Sequence, residues 1–164
     1  MKNVAIVAAI DYVGGFDFEH PYPKQQFLGL VKGHKVIMAR NQYNYLLTNS
    51  VEEGGTSIIP EAECFVITNR PDDVILATPV LDLGSINLDL LQGGETKAFF
   101  MGGLGSWDLG LQMAEEVYLA ISDGYFGSGK FFRTGYLMEH FNVVDRELCP
   151  ENDKVCFVTY KRKI

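Results

Sequence analysis

A segment whose chemistry would come from its backbone runs Phe100-Met101-Gly102-Gly103-Leu104-Gly105-Ser106. An apolar strand that ends in a glycine pair before a capped helix lets backbone N–H groups approach an anion, and the helix N-terminus adds positive potential. A tight turn with no ligand has the same local sequence. A second glycine-rich segment, from Gly124 to Phe131, nearly matches a phosphate-binding loop, but Phe131 follows Lys130 where a Ser or Thr would hold Mg²⁺. No helical pattern follows it directly, and it reads as a flexible glycine turn. The first loop carries Asp11, Asp17, Glu19 and His20. Asp11 reads as a turn former. Asp17 and Glu19 are candidate general acids whose plain alternative is solvation, and a lone His20 beside Pro21 carries little information.

These groups must be positioned by a set of short apolar runs. Residues 4–10, 35–39, 64–68, 96–101 and 116–121 read as strands, continuous in hydrophobicity as expected for strands covered on both faces. Residues 74–77 suggest a further strand. Residues 155–160 alternate like an antiparallel edge pair, with Val143 and Val144 beginning the partner. Helices are expected over 24–32 and 41–47, and from Ser106, as cap, to about Ala114, with Asp108 in the first turn. Residues 52–56 read as loop. The aromatic, acidic and proline-rich stretch 16–23 reads as a structured loop over a site. The order predicts one α/β domain: a mostly parallel central sheet with helices on both faces and an antiparallel C-terminal edge.

The composition agrees with one packed domain. The chain has 164 residues, 47% of them hydrophobic, enough for a core without disulfides or a structural metal. Its net charge of −7 offers no basic face for nucleic acid, and Lys161, Arg162 and Lys163 read as a solvated strand end. Cys64, Cys149 and Cys156 are odd in number and lack CxxC spacing, which suggests neither a disulfide framework nor a metal site and fits free thiols in a reducing cytoplasm. The apolar run 4–10 is short and followed at once by Asp11, so a buried strand is expected rather than a leader. No stretch approaches the roughly 20 apolar residues of a membrane span.

Four places together resemble the dihydrofolate reductase family over most of the chain. Val7-Ala8-Ala9-Ile10-Asp11-Tyr12-Val13-Gly14-Gly15, followed by Pro21-Tyr22, is similar to its first strand and active-site loop, with Tyr22 where the family usually has tryptophan. Residues 36–40 resemble its second strand and cofactor-binding arginine, Arg40, although Ala39 replaces the usual glycine. Thr68, Asn69 and Arg70 follow a strand that resembles the one meeting the adenosine 2′-phosphate region of NADPH. Met101-Gly102-Gly103 with Trp107 resembles the turn under the nicotinamide and pyrophosphate, a glycine pair joined in the family by a cis peptide.

The resemblance implies a cytoplasmic, NADPH-dependent oxidoreductase of one-carbon metabolism that reduces 7,8-dihydrofolate to tetrahydrofolate as a monomer. It assigns the cofactor to Ala9, Gly15, Arg40, Asn41, Gln42, Thr68, Asn69, Arg70, Met101, Gly102, Gly103, Leu104, Gly105, Ser106 and Trp107. It assigns a folate or related heterocycle to Val7, Ala8, Phe27, Leu28 and Lys130, with neither nucleic acid nor membrane as partner. The departures fall on the substrate side. The family's buried carboxylate after the Pro-Trp turn has no counterpart, since no Asp or Glu occurs from His20 to Gly33. Gln25, Gln26 or Phe27 takes its place, and a glutamine supplies hydrogen bonds without charge. The family's arginine for the folate tail is also missing: Pro60 is followed by Glu61. Either Asp17 or Glu19, beside Tyr22, replaces the lost acid, or the substrate is another pterin or a pyrimidine. A non-catalytic NADPH-binding or structural protein is the remaining alternative.

Overall fold

The structure is a computed structural model and describes residues 3–49, 58–81 and 96–164; the loop expected over 52–56 lies outside them. Eight strands form one sheet in the order β4-β3-β2-β5-β1-β6-β8-β7. The strands are β1 Val4–Ile10, β2 Lys35–Ala39, β3 Glu63–Ile67, β4 Thr78–Val80, β5 Ala98–Met101, β6 Glu116–Ser122, β7 Phe141–Cys149 and β8 Asn152–Arg162. β1 to β6 are mutually parallel, and β8 runs antiparallel between β6 and β7. The helices among the described residues are α1 Lys24–Val31, α2 Arg40–Asn49, α3 Leu104–Met113 and α4 Thr134–His140.

The alternation of side chains along β1 builds two cores. Val4, Ile6, Ala8 and Ile10 enter one apolar cluster, which α3 covers with Trp107 and Leu111. Ala5 and Val7 enter the other, which α1 and α2 cover with Val31 and Tyr43. Helices therefore lie on both faces, and β1 reads as continuous hydrophobicity because neither of its faces meets water. Each buried Ile, Leu, Val or Phe contributes about 1.5–3 kcal/mol. α3 approaches the sheet closely because Gly110 has no side chain: a Cβ there would lie 3.0 Å from Phe100 and 3.2 Å from Ile6.

Several local expectations are corrected. Residues 74–77 are not a strand. Leu76 has φ +62°, and the Tyr43 hydroxyl donates to the Ile75 carbonyl at 2.9 Å and accepts its N–H at 2.8 Å. The strand forms one step later as β4, whose Pro79 is tolerated because β4 is an edge. α3 starts before Ser106, with Gly103 as its N-cap; Ser106 lies inside the helix with a buried Oγ that has no hydrogen-bond partner among the described residues, and Asp108 falls beyond the first turn. Arg162 is no solvated strand end. Its guanidinium donates to the Ala114 carbonyl at 2.7 Å and to the Leu111 carbonyl, closing the C-terminus of α3, and lies over the Phe141 ring. α4, unforeseen in the sequence, follows the glycine turn in which Gly127 and Gly129 take positive φ.

Candidate functional site

The carboxyl ends of the parallel strands collect the candidate residues at one edge of the sheet, where open α/β sheets place their ligands. Asp11 follows β1, Arg40 follows β2, Thr68 follows β3 and Gly102 follows β5. Above β1 and β5 lies a cavity of about 330 Å³. Its lining includes Val7, Ala8 and Ala9 of β1, Met101 and Gly102 at the end of β5, Trp107 of α3, Lys24 and Phe27 of α1 with Tyr22 before it, and Gln42, Tyr45 and Leu46 of α2. The loop 16–23 contributes Phe16, Asp17, Phe18, His20 and Pro21, so it does stand over a cavity.

Aromatic packing fixes the walls. Trp107 is 5% exposed; its ring meets Phe16 edge-on at 4.7 Å and Phe132 at 5.3 Å, while its Nε1 donates to the Val7 carbonyl at 3.3 Å. Tyr22 stacks on Phe157 at 5.4 Å. Burial, with Tyr118 and Cys149 nearby, raises the Tyr22 pKa, so it remains a neutral phenol. His20 stacks flat on Phe126 at 4.1 Å, with Nδ1 3.9 Å from the Asp17 carboxylate.

The loop is anchored by Asp11, which is 1% exposed. Its carboxylate accepts the N–H groups of Val13 at 3.0 Å, Gly15 at 2.8 Å and Phe126 at 2.9 Å. Burial pushes its pKa up, but the backbone bonds from Phe126, Gly15, Val13 and Gly14 outweigh it and hold the carboxyl below its ordinary value. Asp11 is thus the turn former expected, and it also ties the first loop to the 124–129 turn.

Beside the cavity, the ends of β2 and β3 assemble a cationic cluster. Arg40 Nη1 donates to Thr68 Oγ1 at 3.1 Å and to the Arg70 carbonyl at 3.3 Å, and Nε donates to Asn44 at 3.2 Å. The guanidinium lies over the Tyr43 ring. The Thr68 hydroxyl also accepts the Arg70 N–H at 3.0 Å. Asp73 lies 3.9 Å from both Arg40 and Arg70. Two guanidinium groups, one hydroxyl and an exposed carboxylate make a place where a phosphate dianion could displace the weakly held Asp73.

Over the Gly102–Gly103 turn, whose peptide is cis, α2 presents two amides. Asn41 Oδ1 caps the Gln42 N–H at 2.9 Å and would lie 3.0 Å from a Cβ on Gly103. The Gln42 Oε1 occupies the space that a Cβ on Gly102 would need.

The remaining expected residues are spread more widely. Gln25 is exposed, and Gln26 donates to Glu151 at 3.0 Å, so neither lines the cavity. Glu19 is exposed outside the lining, while Asp17 is within it; among the described residues Asp17 is the one carboxylate there. Leu28 packs in the core cluster of α1 and α2, and Lys130 is exposed away from the lining, although its carbonyl accepts the Phe16 N–H. Gly15 is buried against Asp11 in the anchored turn. Leu104 and Gly105 are exposed at the start of α3, and Asn69 is exposed beside the arginine cluster. Phe18, Tyr45 and Leu46 were missed in the sequence: the first sits in the irregular loop 16–23, and the other two lie on a helix face whose direction no local pattern sets. No helix among the described residues is long and apolar enough to cross a membrane. No family model and no curated protein matches the chain.

Proposed function

We propose that this protein is a cytoplasmic NADPH-dependent reductase of a pterin-like heterocycle, with 7,8-dihydrofolate as the leading substrate and a single chain as the working unit. The observation that carries the reading is the Arg40, Thr68 and Arg70 cluster, set one strand away from an aromatic-walled cavity at the carboxyl edge of the same sheet. A dinucleotide with a 2′-phosphate needs such a pair of sites: a cationic, hydroxyl-bearing end and an apolar end that excludes water. In this reading Arg40, Thr68 and Arg70 hold the 2′-phosphate, the N-terminus of α3 with Leu104 and Gly105 faces the pyrophosphate, and Ala9, Met101, Gly102 and Trp107 border the nicotinamide.

The cofactor supplies hydride when bound. The chain supplies orientation and exclusion of water: Trp107, Phe16 and Phe27 close apolar surface around the ring, with Val7 and Ala8 of β1 in the same lining. Asp17, paired with His20 at the more exposed side, is the group able to deliver a proton.

A specific observation favours a relative of dihydrofolate as substrate in the second reading. α1 brings no carboxylate to the cavity, and Gln26 is engaged with Glu151 outside it. That arrangement suits a heterocycle bound without a fixed anionic partner, such as another pterin or a pyrimidine. The experiment is NADPH oxidation by the purified protein, followed by absorbance and started with 7,8-dihydrofolate. Turnover supports the leading reading; saturable NADPH binding without turnover moves the assignment to another heterocycle or to a binding role.

A further inference from the structure

The polar group set deepest in the cavity wall is neither an acid nor a base. Gln42 is 8% exposed, lies in the first turn of α2 and lines the cavity, with its carboxamide against the α-carbon of Gly102. Its backbone N–H is taken by Asn41, but its side chain has no hydrogen-bond partner among the described residues. Its amide atoms are not among the buried, unpartnered side-chain atoms, so they stay open to the cavity rather than sealed in its wall, and a ligand that enters can complete their hydrogen bonds. The charged lining residues differ in setting: Lys24 and His20 are exposed and Asp17 is half-buried.

We propose that Gln42 is the specificity-determining residue of the cavity, and that it recognises a neutral cis-amide edge, the adjacent N–H and C=O of a lactam ring or a primary carboxamide. The proposal rests on the reductase reading and names the chemistry its reacting ring must show. A primary amide offers one acceptor and two donors and carries no charge at any ordinary pH. Its best planar partner is therefore another amide, with one N–H···O bond in each direction. A carboxylate in that position would select a cationic ring instead. Gly102 is part of the device: any side chain there would drive the Gln42 amide out of its place. Two ligands share the required edge, the carboxamide of the nicotinamide and the lactam of a pterin, and they are separable in solution.

The test is fluorescence titration of the wild-type protein and of Gln42→Met, a volume-conserving change, reading Trp107 in the cavity wall. The probes are NADPH, 2′-phospho-ADP-ribose, which lacks the nicotinamide, and 7,8-dihydrofolate. Gln42→Met is expected to weaken one amide-bearing probe about tenfold or more, the size of one or two neutral hydrogen bonds, and to leave 2′-phospho-ADP-ribose unchanged. That unchanged affinity also reports that the variant is folded. Loss for NADPH assigns the amide to the nicotinamide; loss for dihydrofolate assigns it to the substrate ring. Gln42→Glu, which keeps the acceptors and loses the donors, should weaken the same probe. Equal affinity of wild type and both variants for all three probes overturns the role of Gln42 while leaving the reductase reading intact. Failure of the wild type to bind NADPH and 2′-phospho-ADP-ribose overturns the dinucleotide reading, and this inference with it.

Discussion

Arg40 donates to the hydroxyl of Thr68 across 3.1 Å, joining the residue after β2 to the residue after β3. The bond forms because the two strands are parallel neighbours in register, Ala39 beside Ile67, so the next residue on each leaves the sheet side by side. Arg40→Ala is expected to weaken NADPH by roughly tenfold to a hundredfold, the range of one charge-assisted hydrogen bond, and to leave NADH almost unchanged. Equal losses for the two dinucleotides, measured by titration, would remove Arg40 from the 2′-phosphate.

Asp73 competes for the same cation. It stands 3.9 Å from both guanidinium groups and is mostly exposed, so Asp73→Asn should tighten NADPH binding by a few fold, most visibly at low salt. A weakening would mean that Asp73 instead organises the site.

Asp17 and Glu19 separate cleanly. Asp17 lines the cavity and Glu19 does not, so Asp17→Asn should lower kcat, whereas Glu19→Gln should leave it unchanged. An unaffected Asp17→Asn enzyme would leave proton delivery to water.

Asp11 sets both loop geometry and acid stability. Its folded pKa is depressed, so its contribution is complete above its ordinary value of 3.8 and is lost as pH falls through the lower folded value. Asp11→Ala strands three backbone donors and should cost about 2–4 kcal/mol in denaturant unfolding at neutral pH. The difference from wild type should shrink below about pH 4. A cost under about 0.5 kcal/mol would show that water replaces the carboxylate.

Much of the sheet was legible in the sequence because β1, β2, β3, β5 and β6 are buried on both faces, and such strands appear as short unbroken apolar runs. Tertiary contacts decided what local pattern could not. Tyr43 reaches across to hold Ile75 outside the sheet, which displaces the strand expected over 74–77 to β4. Ser106 has the chemistry of a cap, yet the helix starts earlier at Leu104 after the glycine turn. Arg162 is one of three consecutive cations, and only the meeting of β8 with the end of α3 makes it a cap. Within the site, Arg40, Thr68 and Arg70 come together at the ends of β2 and β3, while Gln25 and Gln26 turn away from the cavity because α1 directs them toward solvent and Glu151. A buried polar residue of the cavity lining lies instead on α2, Gln42.

Titration of the wild-type protein with NADPH and with NADH, read through Trp107, bears on the dinucleotide reading without any substitution. Saturable NADPH binding that changes the Trp107 emission and is at least about tenfold tighter than NADH, the share of the 2′-phosphate contacts, is expected. No saturable binding, or equal affinity for the two, would contradict it.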